Sequence, residues 1–161
     1  MTQAQFKEIF NNYFDDIRNY IYYRSGDPDL ATDIAQETFV RFWEKQFELR
    51  GDKTRSLLYK ISGNLYVSDY RKQKTALNFK LNIQPASEGY TPEDKMQFEE
   101  LSDQYNIALQ NLPEKQRVVF LMSRMDEMKY YEIADTLGLS IKAVEKRMKL
   151  ALEFLRKALQ Y

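Results

Sequence analysis

The chain is 161 residues long and carries 24 Lys+Arg against 24 Asp+Glu, with no His and no Cys. Those two absences exclude an imidazole acid–base catalyst, a thiol nucleophile, a disulfide scaffold and a zinc finger. Apolar residues reach 43%, enough for a core, while five Gly and four Pro suit long helices better than a loop-rich β protein.

No apolar run approaches the roughly 18 residues of a membrane span, and no signal-peptide pattern opens the chain. With no Cys either, a cytoplasmic protein is expected. Residues 3–24 read as a helix: Phe6, Ile9, Phe10, Tyr13, Phe14, Ile17 and Ile21 recur at spacings of three and four. Gly26-Asp27-Pro28 ends it. Asp27 is placed to cap the next helix, with Pro28 at its first position. That helix is expected to reach about residue 47, burying Leu30, Ile34, Ala35, Phe39, Phe42 and Trp43. A loop follows, and Thr54 is the expected cap of a third helix, about 55–74, with Leu57, Leu58, Ile61 and Leu65 inward.

Periodicity lapses over 75–94, which contains Asn82, Pro85, Ser87, Gly89, Thr91 and Pro92. Such a stretch is too long for an ordinary loop in a compact domain. It reads as a flexible linker, placed at 76–97, between an N-terminal three-helix bundle (1–75) and a C-terminal four-helix domain (98–161). The expected fold is all-α. Periodicity resumes with Phe98, Leu101, Tyr105, Ala108, Leu109 and Leu112. Pro113 opens a helix carrying Val118, Val119, Leu121 and Met122, and two more helices are expected at 129–137 and 141–159.

Zero net charge hides an uneven distribution. Residues 41–74 hold 9 basic and 4 acidic groups, and residues 140–161 hold 6 and 2. The segments 1–40, 75–100 and 101–139 are all net acidic. Two basic segments on periodic helices point to a polyanionic partner, and acidic neighbours weaken binding to arbitrary DNA.

Ala134, Gly138 and Val144 fall at offsets of zero, four and ten. A helix-turn-helix asks for that order: a small residue where helices cross, a glycine for a turn at positive φ, and a branched residue packing the second helix back. Ile133, Leu137 and Leu139 fill the space between, and Ser140 caps the second helix. On that helix Ile141, Val144, Met148, Ala151, Leu155 and Ala158 form the expected core stripe. Lys142, Glu145, Lys146 and Lys149 lie opposite, near the end that enters a major groove, with Arg147 on the flank.

Taken together, these residues resemble a known family. NLPEKQRVVFLMSRMDEMKYYEIADTLGLSIKAVEKRMKLALEFLRKAL is similar to the fourth conserved region of extracytoplasmic-function (ECF) sigma factors, small members of the sigma-70 family. DLATDIAQETFVRFWEKQ resembles their second region, and SLLYKISGNLYVSDYRKQK the helix that follows it. The ending VEKRMKLALEFLRKAL resembles the Bacteroidetes branch. The resemblance covers nearly the whole chain. It implies a dissociable transcription initiation factor that gives RNA polymerase core its promoter specificity, with promoter melting.

The resemblance also implies roles for residues. Asp33, Gln36, Glu37, Val40, Arg41 and Glu44 point away from the buried stripe of helix 28–47. They become the surface for the β′ clamp helices of the polymerase, whose β flap is a further partner. Arg50, Lys53, Lys60, Asn64, Arg71 and Lys72 become contacts to the −10 element, with loop 48–54 as its specificity loop. There an unstacked base costs a few kcal/mol to hold, offset by a pocket and backbone contacts. Tyr66 and Tyr70 are candidates to stack on bases. Leu57 stands where many relatives carry Trp. At the −35 element Glu145, Lys146 and Lys149 would read base edges, with Lys142 and Arg147 on phosphates. An anti-sigma factor is a common partner in the family.

Other functions fit less well. Di-metal helical bundles use Glu-x-x-His, which needs a histidine. The pairs Asp15-Asp16 and Glu99-Glu100 are adjacent and share no helix face, and no Gly-rich phosphate loop appears. No enzyme activity, cofactor, metal or small-molecule substrate is expected. A stand-alone helix-turn-helix regulator would explain the C-terminal domain and leave 28–74 without a role.

Overall fold

The computed structural model describes residues 1–45, 52–70, 79 and 91–160. Among them the chain forms seven α-helices and no strand. They are α1 (Gln3–Ser25), α2 (Pro28–Lys45), α3 (Asp52–Leu65), α4 (Pro92–Asn111), α5 (Glu114–Arg124), α6 (Tyr130–Leu137) and α7 (Ile141–Ala158). α3 runs on into a π-helical turn, Tyr66–Tyr70.

Local chemistry sets the first two helices. Thr2 and Gln5 form a capping box: the Gln5 amide donates to Thr2 Oγ1 at 3.1 Å, and the Thr2 amide donates to Gln5 Oε1 at 2.9 Å. Gly26 ends α1 in the left-handed region at φ 67°. Asp27 then caps α2 as expected, accepting from the amides of Asp29 and Leu30 at 3.1 Å each. The core of this bundle includes Ile17, Ile21, Ile34, Ala35, Phe39, Phe42 and Leu58. Phe39 meets Phe10 edge to face at 5.1 Å and Phe6 at 6.4 Å. Tyr20, Tyr23 and Tyr59 are buried as well.

Two element starts differ from expectation. α3 starts at Asp52, so Thr54 lies inside the helix, and its side chain is drawn into the core instead of capping. α4 starts at Pro92, within the stretch read as linker to 97. Thr91 and Pro92 there act as a helix start, the Thr91 carbonyl accepting from the Lys95 amide at 3.0 Å. α2 is described as far as Lys45, and its expected end near 47 lies outside the described residues.

In the second bundle Ala108, Leu109, Leu112, Val119, Leu121, Met122, Ile133, Val144 and Ala151 are buried. Two members of the expected α7 stripe are not. Ile141 is 50% exposed because the buried face begins one turn later at Val144, and Ala158 lies beyond its end at Leu155.

The two bundles pack on each other. The key group is Arg117 of α5, only 2% exposed. Its Nε donates to the Tyr23 carbonyl at 2.7 Å and Nη2 to the Arg24 carbonyl at 2.8 Å. Those carbonyls belong to the last turn of α1, which lacks helical partners for them and attracts a cation. Nη1 donates to the Leu112 carbonyl at 2.9 Å. Phe79, which falls within the expected linker, is buried and lies 4.8 Å from the guanidinium. Arg24 pairs with Glu114 at 3.2 Å, and Ser56 Oγ of α3 donates to the Asp135 carbonyl of α6 at 3.4 Å.

Candidate nucleic-acid interface

The C-terminal site is built by a short turn between two helices. Gly138 caps α6 at φ 68°, a backbone conformation that suits glycine. Its amide donates to the Ala134 carbonyl, and the Leu139 amide also reaches that carbonyl at 2.8 Å. Ser140 Oγ then accepts from the Ala143 amide at 3.1 Å and starts α7. Ile133 and Val144 are fully buried between the helices. This anchoring leaves Lys142, Glu145, Lys146 and Lys149 exposed together on one face of the N-terminal half of α7. Arg147 does not join them. It is half-buried and lines a cleft of about 450 Å³ with Arg24, Glu114, Lys115, Gln116 and Leu139.

On α3, Lys53, Lys60 and Asn64 are exposed. Lys60 and Asn64 line a second cleft, about 470 Å³, whose opposite wall is Asp135, Thr136, Leu137 and Gly138 at the end of α6. The structure thus sets the expected −10 residues Lys60 and Asn64 across one cleft from the turn that leads into α7. Arg50, Arg71 and Lys72 lie outside the described residues. Tyr66 is buried, with the Arg24 guanidinium 4.7 Å over its ring, so in this arrangement that face cannot take a base. The side chain of Tyr70 is not among those described.

On α2, Asp33, Gln36, Val40, Arg41 and Glu44 are exposed, and Glu37 is half-buried. Glu37 and Arg41 form the expected i, i+4 pair at 3.1 Å. Gln36, Val40 and Glu44 border an apolar groove of about 540 Å³ floored by Phe6, Phe10, Phe39 and Trp43. The polar rim is legible in the sequence and the groove is not, because the spacing places those aromatics in the core.

Buried polar groups cluster where the bundles meet. Tyr23 donates its phenolic O–H to Asp126 Oδ1 at 2.6 Å. Burial pushes the Asp126 carboxyl up to about 6, opposed by that hydrogen bond and reinforced by Asp16. Burial likewise raises Asp16 and the phenols of Tyr23 and Tyr59, and it lowers the Arg117 guanidinium. Among the described residues no group of three or more acidic side chains is arranged to hold a metal ion.

Comparison with known proteins accounts for this geometry. Residues 9–76 match the family model for sigma-70 region 2, and residues 103–155 match that for sigma-70 region 4. The ECF RNA polymerase sigma factor SigW of Bacillus subtilis is 30% identical over 170 residues, spanning 98% of this chain and 90% of that protein. The chain belongs to the ECF sigma factors. The ferric citrate uptake sigma factor FecI of Escherichia coli is 28% identical over 151 residues, covering 92% of this chain and 87% of its own. The fold agrees with that of the sigma factor RpoE of Bartonella quintana, solved in complex with the anti-sigma factor NepR. The TM-score is 0.63 at 22% identity, with 97% of each chain covered. As an ECF sigma factor the chain directs RNA polymerase to promoters, and α5, α6 and most of α7 lie within its region 4 and most of α1–α3 within its region 2. Among the described residues of this sigma factor, no helix is long and apolar enough to cross a membrane.

Proposed function

We propose that this sigma factor reads the −35 element with the exposed face of α7 and the −10 element with α3, while α2 docks on the polymerase. The carrying observation is the single face that Lys142, Glu145, Lys146 and Lys149 form behind the Gly138 turn. Lys donates to guanine O6 or N7 and Glu accepts from cytosine N4, so Glu145, Lys146 and Lys149 suit base edges. Lys142 suits a phosphate, and Arg147 suits one from the flank once its cleft opens. Lys53, Lys60 and Asn64 on α3 serve the −10 strand, with Arg50, Arg71 and Lys72 as further basic contacts.

The β′ clamp helices dock on Asp33, Gln36, Glu37, Val40, Arg41 and Glu44. The apolar groove beside Gln36, Val40 and Glu44 gives that surface an apolar centre within a polar rim, the usual anatomy of a protein interface. The chain works in the cytoplasm as an initiation factor without catalysis of its own. An anti-sigma factor is a partner in keeping with the neighbour solved with one. Pull-down of core polymerase checks the docking surface: Val40→Asp should abolish capture while leaving helix content intact. Undiminished capture would move the polymerase contact elsewhere.

A promoter also sets a length. Elements about 25 base pairs apart, at ~3.4 Å per pair, are separated by roughly 85 Å. With Ser56 of α3 hydrogen-bonded to Asp135 of α6, the two readers are far too close to serve one promoter. Promoter binding therefore requires the bundles to separate.

A further inference from the structure

Separation has to break a polar contact that neither bundle makes within itself. Asp126 follows α5 and faces α1 of the other bundle. One carboxylate oxygen takes the Tyr23 hydrogen bond; the other, Oδ2, is buried and has no partner among the described residues. A full negative charge is costly on an oxygen stripped of both water and donors, whereas the neutral acid loses much less.

The surroundings do little to offset that cost. From α1, Tyr23 and Asp16 face the carboxyl, and Tyr59 faces it from α3. Arg18 of α1 lines the same cleft of about 380 Å³, together with Asn19, Tyr22, Pro28 and Met125. Its Nε, however, donates to Thr32 Oγ1 at 3.1 Å. Arg55 of α3 acts on Asp16 and Tyr59. Among the described residues no cation pairs with Asp126 within salt-bridge distance.

We propose that the Tyr23–Asp126 contact is a proton-operated latch between the two bundles: a proton on Asp126 holds the chain closed, and its loss releases the bundles toward the open arrangement that promoter binding needs. The latch is a property of the free chain. Its consequence for promoters rests on α3 and α7 being the reading helices.

The sign follows from linkage. In the closed form the carboxyl titrates at about 6, and in the open, hydrated form near its ordinary value of 3.8. The closed form holds the proton more tightly, so acid favours closure. The effect is complete below the open-form value and is lost as pH rises through about 6. Between pH 7 and pH 5 the closed-to-open ratio should rise about tenfold.

The chain has no cysteine, so Glu8→Cys on α1 and Glu153→Cys on α7, both exposed, supply two unique spin-label sites. Pulsed electron–electron resonance on the full chain at pH 5, 6 and 7 then counts closed and open molecules. The expected result is that tenfold rise toward pH 5. Asp126→Asn, which keeps an acceptor for Tyr23 and cannot ionise, should stay mostly closed with a much weaker pH response than wild type, Asp16 being the titratable neighbour that remains. Tyr23→Phe should lower the closed fraction at every pH. A wild-type ratio that stays constant from pH 5 to 7 overturns the latch, as does an equal response in Asp126→Asn. The wild-type titration needs no variant to fold. Because the distances are read without DNA or polymerase, a failure of the promoter assignments would leave this result unaffected and show up separately in transcription assays.

Discussion

Arg117 shows how a buried cation is made tolerable. Its donors reach the carbonyls of Tyr23, Arg24 and Leu112, and the Phe79 ring lies against it. A lysine offers one ammonium point in place of a planar fork and cannot serve acceptors in both bundles at once. Arg117→Lys should therefore destabilise the chain by about 3 kcal/mol, read from urea unfolding. The sequence places Arg117 in a charged run, LPEKQR, where it looks like one more solvated side chain. Its acceptors on α1 are 93 and 94 residues away, which no local pattern reveals. Glu127 carries a different strain. It sits at φ 55° without being glycine. Glu127→Gly should stabilise by about 1 kcal/mol, raising the melting temperature by roughly 3 °C. Lys129, at the N-cap of α6, supplies no side-chain acceptor. Lys129→Ser should add about 1 kcal/mol by the same measurement.

At the scale of the element, α6, the turn and α7 were the most legible part of the chain. Their signals are local: a glycine in the left-handed region, a serine cap, and a stripe stepping by threes and fours. Gly138→Ala meets no steric obstacle, since nothing lies within 4 Å of the added carbon, so its cost of about 1 kcal/mol would come from backbone strain alone. Where the structure departs from the expected elements, the deciding contacts are not local. Thr54 reads as a cap until the rest of the bundle pulls it inward. Thr91-Pro92 reads equally as a breaker or a helix start, and the structure makes it a start. The polar faces of α2 and α7 were legible as faces, but the apolar groove beside α2 was not, because an aromatic at core spacing gives no sign that one edge stays open. For α7 the functional prediction concerns specificity. Glu145→Ala should relax preference at one −35 position by about 1–3 kcal/mol, visible as a broadened base choice in a randomised promoter library. Lys142→Ala should instead weaken all promoters similarly and reduce the salt slope of binding by about one unit.

For the whole molecule, the sequence suggested two helical bundles and their division of labour, and left their mutual arrangement open. The structure closes them through Arg117, the Arg24–Glu114 pair, Tyr23–Asp126 and Ser56–Asp135. Closure sets part of the α3 face into a cleft walled by the end of α6 and Arg147 into a cleft beside Glu114, while Lys142, Lys146 and Lys149 of α7 stay exposed. If α3 and α7 are the reading helices, as proposed, promoter recognition is a property of the complex with polymerase, which has to hold the bundles apart. Run-off transcription with purified core enzyme on genomic fragments tests this most directly. The wild-type chain should start transcripts at a defined set of sites that core alone does not use. A variant with Lys142, Glu145, Lys146 and Lys149 all changed to Ala should still bind core and lose those starts. If the wild-type chain leaves the start sites of core unchanged, or the fourfold variant selects the same sites as wild type, the assignment of promoter reading to α7 is wrong.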